Sequence, residues 1–161
     1  MTDPHPTTSG VLETSLYVAD IGVSQAFYTR IFSFKTFFHD HRMCAMGLPG
    51  AQVLLLFRIG ATDHPAPAAD GLIPPHHGSG NLHVCFAIAT DALADWEAHL
   101  AHEAVTVEAR LHWPRGSTSL YFRDPDGHSL EVATPGLWPN YGGRGFPNKT
   151  GAPVPRAPRF P

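Results

Sequence analysis

LETSLYVADIGVSQAFYTRIFSF, residues 12–34, is answered later in the chain by LHVCFAIATDALADWEAHL, residues 82–100. Each stretch reads as a half-apolar strand running into a capped amphipathic helix. Aligning Leu12, Leu16 and Val18 with Leu82, Phe86 and Ile88 puts the apolar strand face on the same positions, with Glu13 and His83 in one register on the opposite face. A duplicated strand-helix unit of this kind brings equivalent side chains toward one another.

Working outward, Asp20 to Ser24 supply turn and N-cap chemistry for the first helix, which stacks Ala26 or Phe27, then Arg30, Ile31 and Phe32. Three short strands are expected next, at 34–39, 43–48 and 52–58, separated by polar or Pro-Gly breaks such as Pro49-Gly50. Residues 60–80 shift to Pro, Gly, Ala and His with no periodicity and read as a linker. The order then restarts: strand 81–89, a helix in which Asp91 caps the series Leu93, Trp96 and Leu100, and strands near 105–112, 117–123 and 129–134. Asp124-Pro125-Asp126-Gly127 places each residue where a type I turn wants it. The reading is therefore an α+β domain over 11–135, with module one at 11–59, the linker at 60–80 and module two at 81–135. Residues 1–10 are expected to be disordered, and 136–161 form a Pro/Gly-rich tail in which Trp138, Tyr141 and Phe146 favour docking.

The bulk numbers narrow the function. With 161 residues and 43% hydrophobic content the chain suits a globular fold, and a formal charge of -3 with 16% charged residues leaves no basic stripe for a phosphate backbone. No nucleic acid partner is expected; a small-molecule substrate is. The longest purely apolar run, Val53 to Phe57, is too short to span a bilayer, and MTDPHPTTSG carries no apolar signal core, so no membrane association and a cytoplasmic location are expected. Cys44 and Cys85 fall in apolar runs without framework spacing, which fits a reducing compartment.

Three residues share one property: each lies on the non-apolar face of a one-sided strand. Glu13, His83 and Glu131 do so, accompanied by Ser15 and Tyr17, Cys85, and Ser129 on the same faces. Two carboxylates brought together without a cation repel, and burying either unpaired costs several kcal/mol, roughly, after relaxation. A divalent metal removes that penalty, and one nitrogen plus two oxygen ligands leave positions open for water and substrate. The set suits one Mn, Fe, Zn or Mg ion.

These segments, together with YFRDPDGHSLEV at 121–132, resemble the vicinal oxygen chelate superfamily of glyoxalase I, extradiol dioxygenases, fosfomycin-resistance and bleomycin-resistance proteins, over about residues 11–135. The resemblance implies two paired βαβββ modules forming a cupped mixed sheet around a metal, often across a homodimer. It implies ligands from the first strand of each module and the last strand of the second: Glu13, His83 and Glu131. Here Glu13 stands where metal-dependent branches usually carry histidine, which departs from an extradiol two-histidine site. Glyoxalase I takes a fourth, carboxylate ligand from the last strand of its first module, where this chain has Leu54 or Leu55.

The expected function is a metal-dependent, glyoxalase-like lyase or isomerase on a small oxygen-chelating substrate, with Glu131 or Glu13 as proton carrier. Tyr121, Trp113, Arg115 and Arg42 are the candidate substrate-binding residues. The alternatives are a metal-free small-molecule or drug-binding protein using the same cup and a ring-cleaving dioxygenase. A homodimer is expected, with Glu13 from one subunit facing His83 and Glu131 of the other. His39, His41, His76 and His77 are read as surface histidines, and Cys85 as a small buried hydrophobe.

Overall fold

The computed structural model describes residues 5–142, so Phe146 and most of the tail lie outside the described residues. The chain divides into two compact units at Gly80 and Asn81. The fold is α+β, with the βαβββ order repeated as the sequence indicates.

In the first unit β1 (Glu13–Val18) leads into α1 (Ile21–Phe32), then β2 (Lys35–His39), β3 (Met43–Gly47) and β4 (Val53–Arg58). These strands form one mixed sheet in the order β1-β4-β3-β2, with β1 and β4 parallel. The Asp20 carboxylate accepts from the Val23 N–H at 3.0 Å, the N-cap expected from sequence. Ser33 in the left-handed region ends the helix, its N–H donating to the Thr29 carbonyl. Ile21, Ser24, Phe27, Tyr28 and Ile31 are buried on α1, so Phe27 and Ile31 of the expected stripe face inward while Arg30 is exposed and Phe32 half-buried. Leu16, Val18, Cys44, Met46, Leu54 and Leu56 make the sheet side of this core. Their alternation leaves Glu13, Ser15, Tyr17, Leu55 and Phe57 on the other face. Leu12 stands just before β1 and is exposed rather than part of the apolar face.

The stretch read as a structureless linker contains a small hairpin, β5 (Ala66–Ala68) and β6 (Gly71–Ile73), and its far end returns onto the first unit. Thr62 and His76 tie that return: the His76 N–H donates to the Thr62 carbonyl at 3.0 Å and the Thr62 hydroxyl to the His76 carbonyl at 2.5 Å. Such non-local pairing of Pro-rich segments leaves no periodic trace in sequence.

The second unit runs β7 (His83–Ala87), a 3-10 turn (Thr90–Ala92), α2 (Leu93–His102), β8 (Ala109–His112), β9 (Thr118–Arg123) and β10 (Ser129–Ala133). Its sheet order is β7-β10-β9-β8, with β7 and β10 parallel, which repeats the first unit's topology. Asp91 does not cap α2; it lies inside the 3-10 turn, and no side-chain cap bond forms at either start. Leu100, Leu120, Phe122, Leu130 and Val132 are buried in the core. Tyr141 docks the start of the tail, its hydroxyl donating to the carbonyls of Ile88 at 2.9 Å and Ala133 at 3.2 Å. Among the described residues no helix is long and apolar enough to cross a membrane.

Candidate metal centre

The turn into β10 sets the site of the second unit. Asp124, itself buried, accepts from the N–H groups of Asp126 at 3.1 Å and His128 at 2.8 Å, and Gly127 takes φ +80 to close the turn. Buried His128 then accepts the Leu82 N–H on Nδ1 at 3.0 Å, pinning the entry of β7 beside the entry of β10. Register follows: Ser129 pairs with His83 and Arg123, and Glu131 with Cys85 and Tyr121. His83, Cys85, Tyr121, Ser129 and Glu131 therefore share one face.

His83 Nδ1 lies 3.0 Å from the Ser129 carbonyl oxygen. A carbonyl only accepts, so Nδ1 carries the hydrogen and the lone pair of the neutral ring sits on Nε2. Nε2 faces Glu131 Oε2 at 3.3 Å, with the Glu131 side chain 4% exposed and that of His83 51% exposed. Two acceptors at that separation require a cation between them, either a proton or a metal ion. The other carboxylate oxygen, Oε1, is buried with no hydrogen-bond partner. An unsatisfied buried carboxylate oxygen costs about 1–3 kcal/mol or more, and a coordinated cation is what would offset it. The pair thus fits two positions of a metal site with the imidazole's second nitrogen already oriented. Among the described residues no group of three or more His, Cys, Asp or Glu side chains converges.

The Glu131 charge reaches its neighbours. The Tyr121 hydroxyl is pushed up to about 12, by burial first and then by Glu131 beside it. Its ring stacks on His83 with centroids 6.2 Å apart. Cys85 has solvent access at the sheet edge rather than being a buried hydrophobe, yet local desolvation of its sulfur, then Glu131, holds the thiol far above its ordinary value. That combination makes a poor nucleophile.

Of the other predicted residues, Trp113 lies just past the end of β8, its indole N–H donating to the Ser119 hydroxyl at 2.8 Å. Arg115 sits exposed in the β8–β9 turn. Arg42 belongs to the first unit, where its Nε donates to the Ala61 carbonyl at 3.2 Å and steadies the loop after β4. Glu13 is exposed at the start of β1 and lines a cavity of about 280 Å³ with Thr14, Ser15, Tyr17, Leu55, Phe57 and His76. Because Glu13 pairs with Val53 and Ser15 with Leu55, as His83 pairs with Ser129 and Cys85 with Glu131, Leu55 rather than Leu54 is the first unit's counterpart of Glu131. Sequence reasoning missed His128 and His76. The first was hidden because its role is a backbone contact across the sheet, the second because it arrives from the linker.

Comparison of the sequence with known protein families matches residues 10–132 to the Glyoxalase/Bleomycin resistance protein/Dioxygenase superfamily. The chain belongs to this superfamily. Among solved structures it is similar to a lactoylglutathione lyase from Agrobacterium tumefaciens, at 32% identity and TM-score 0.75, over 83% of this chain and 98% of that one. It is also similar to an integron cassette protein from the mobile metagenome of V. cholerae, at 28% identity and TM-score 0.60, over 81% and 98% of the two chains. A glyoxylase/bleomycin resistance protein/dioxygenase domain from Frankia sp. EAN1pec, at 24% identity, TM-score 0.58 and 80% and 98% coverage, shares the fold. The superfamily match therefore agrees with the resemblance carried by residues 12–34, 83–100 and 121–132.

Proposed function

We propose that this superfamily member is a divalent-metal-dependent, glyoxalase-like lyase or isomerase acting on a small substrate with two neighbouring oxygens. One observation carries the reading: a histidine Nε2 lone pair and a buried, half-unpartnered carboxylate meet at 3.3 Å on one sheet face. His83 and Glu131 would hold the metal, and Glu13 of a second copy in a homodimer would complete the set. When bound, the ion supplies Lewis acidity to the substrate's paired oxygens. The chain's own groups do the rest. The Ser129 carbonyl fixes the His83 tautomer, and Glu131 is the proton carrier, taking a proton from the carbon beside the substrate carbonyl and returning it to the adjacent carbon. That transfer needs no outside oxidant or reductant. Tyr121, held in its neutral form, presents a hydroxyl beside the carboxylate to orient an oxygen of the substrate.

The lactoylglutathione lyase at 32% identity supports this class of chemistry. Leu55, at the register position equivalent to Glu131, separates the site from a four-ligand arrangement with two such carboxylates. The test is elemental analysis of untagged protein, followed by assay for lactoylglutathione formed from glutathione and 2-oxopropanal. Stoichiometric metal that is lost in His83→Ala, together with metal-dependent turnover, is expected. Wild-type-like metal occupancy in His83→Ala defeats the assignment.

A further inference from the structure

His76 enters the first unit from a segment that sequence patterning leaves blank, and its placement is built rather than incidental. The chain around it is fastened by the reciprocal Thr62 bonds, and Thr62 is itself buried. Two residues on, Gly78 passes so close to Tyr17 that a Cβ there would lie 2.4 Å from the ring, a distance no larger residue tolerates. The imidazole stands edge-on to Phe57 with centroids 4.7 Å apart, and its Nδ1 is 2.6 Å from the Tyr17 hydroxyl. The phenol, the stronger acid of the two, donates to Nδ1, which places the ring hydrogen on Nε2. His76 is half-buried and lines the cavity floored by Leu55 and Phe57.

We propose that His76 is a substrate-binding residue whose Nε2–H donates to a carbonyl or carboxylate oxygen at the end of an apolar, single-ring or comparably small substrate tail, the tail resting on Leu55 and Phe57. A cavity of about 280 Å³ has room for such a group. Leu55 sets the character of the cavity: where the second unit carries a carboxylate, the first offers a methyl-rich surface that rewards an apolar body. A hydrogen bond from an imidazole to a carboxylate is charge-assisted and sets the tail's direction. The inference rests on the proposed enzyme reading for turnover but not for binding, since every group involved belongs to the first unit.

The experiment titrates phenylacetate into full-length protein as purified and follows the side-chain nitrogen signals of the histidines by NMR. Saturable binding that moves the His76 Nε2 signal, weakened about tenfold or more in His76→Ala and unchanged in His77→Ala, is expected. Tyr17→Phe should weaken binding less while shifting the His76 tautomer signals, a signature that a loss of packing alone does not produce. Absence of saturable binding, or binding that His76→Ala leaves unaltered, overturns the proposal. Running the titration in His83→Ala keeps the readings apart: metal retention reports on the proposed metal centre, and phenylacetate binding reports on His76.

Discussion

Glu131→Gln should reverse the order of stability depending on whether metal is present. In the metal-free protein the wild type holds a carboxylate with one oxygen 3.3 Å from an imidazole lone pair and the other buried and unpartnered. The amide keeps the shape, removes the charge, and offers an N–H to His83 Nε2 where two acceptors had opposed each other. Removing the buried charge and making that hydrogen bond is worth about 1–3 kcal/mol. For a chain of this size that raises the melting temperature by roughly 2–12 °C. With metal added at about a thousandfold its dissociation constant, the wild type gains about 4.1 kcal/mol by linkage, and the variant, with a weaker ligand, loses most of that gain. The assay is thermal unfolding at about pH 8, with chelator and then with Mn, Zn or Mg. A variant less stable than wild type in chelator at that pH would show that a proton, not a metal ion, is what the pair is built around.

The same substitution should bring the Tyr121 hydroxyl down from about 12 toward its ordinary value near 10 without reaching it, since burial remains; ultraviolet titration against a Tyr121→Phe control reads the change. In the wild type the raised value means stability is intact below about pH 10 and is lost as pH climbs toward 12, so alkaline unfolding should ease in Tyr121→Phe. Cys85 should alkylate slowly at neutral pH despite its solvent access and faster in Glu131→Gln, followed by mass spectrometry; equal rates would remove Glu131 as a cause of its raised thiol. Asp124→Ala should cost about 1–3 kcal/mol, because two N–H groups of the turn lose their acceptor, and should weaken metal retention by loosening His128 and the start of β7; urea unfolding with elemental analysis measures both.

The fold was legible because duplication wrote it twice. Alternation in β1, β7 and β10 placed Glu13, His83 and Glu131 on polar faces, and the Asp124 turn announced the strand that delivers Glu131. Period-2 patterning fixes a face, and the fold supplies the partner across the sheet. What stayed hidden depends on contacts distant in sequence. The Ser129 carbonyl that sets the His83 tautomer, the His128 bond to Leu82 and the return of His76 onto Tyr17 are cross-strand or loop contacts that leave no periodic mark. Asp91 illustrates a different failure: a good capping residue one position before the N-cap was absorbed into a 3-10 turn, and α2 starts with no side-chain cap bond. Arg42 reads as a substrate-binding candidate, and the contact that sequence could not show is its Nε–H bond to the Ala61 carbonyl in the loop after β4.

The anchoring of His83 through the backbone of β10 has one more implication. Its aim is set by a main-chain oxygen two residues from Glu131, so the spacing between the two groups is inherited from the hydrogen-bond ladder itself. A cation seated there would act as a rivet through neighbouring strands, and its release should loosen amide exchange first along β7 and β10, well before heat unravels the rest of the sheet.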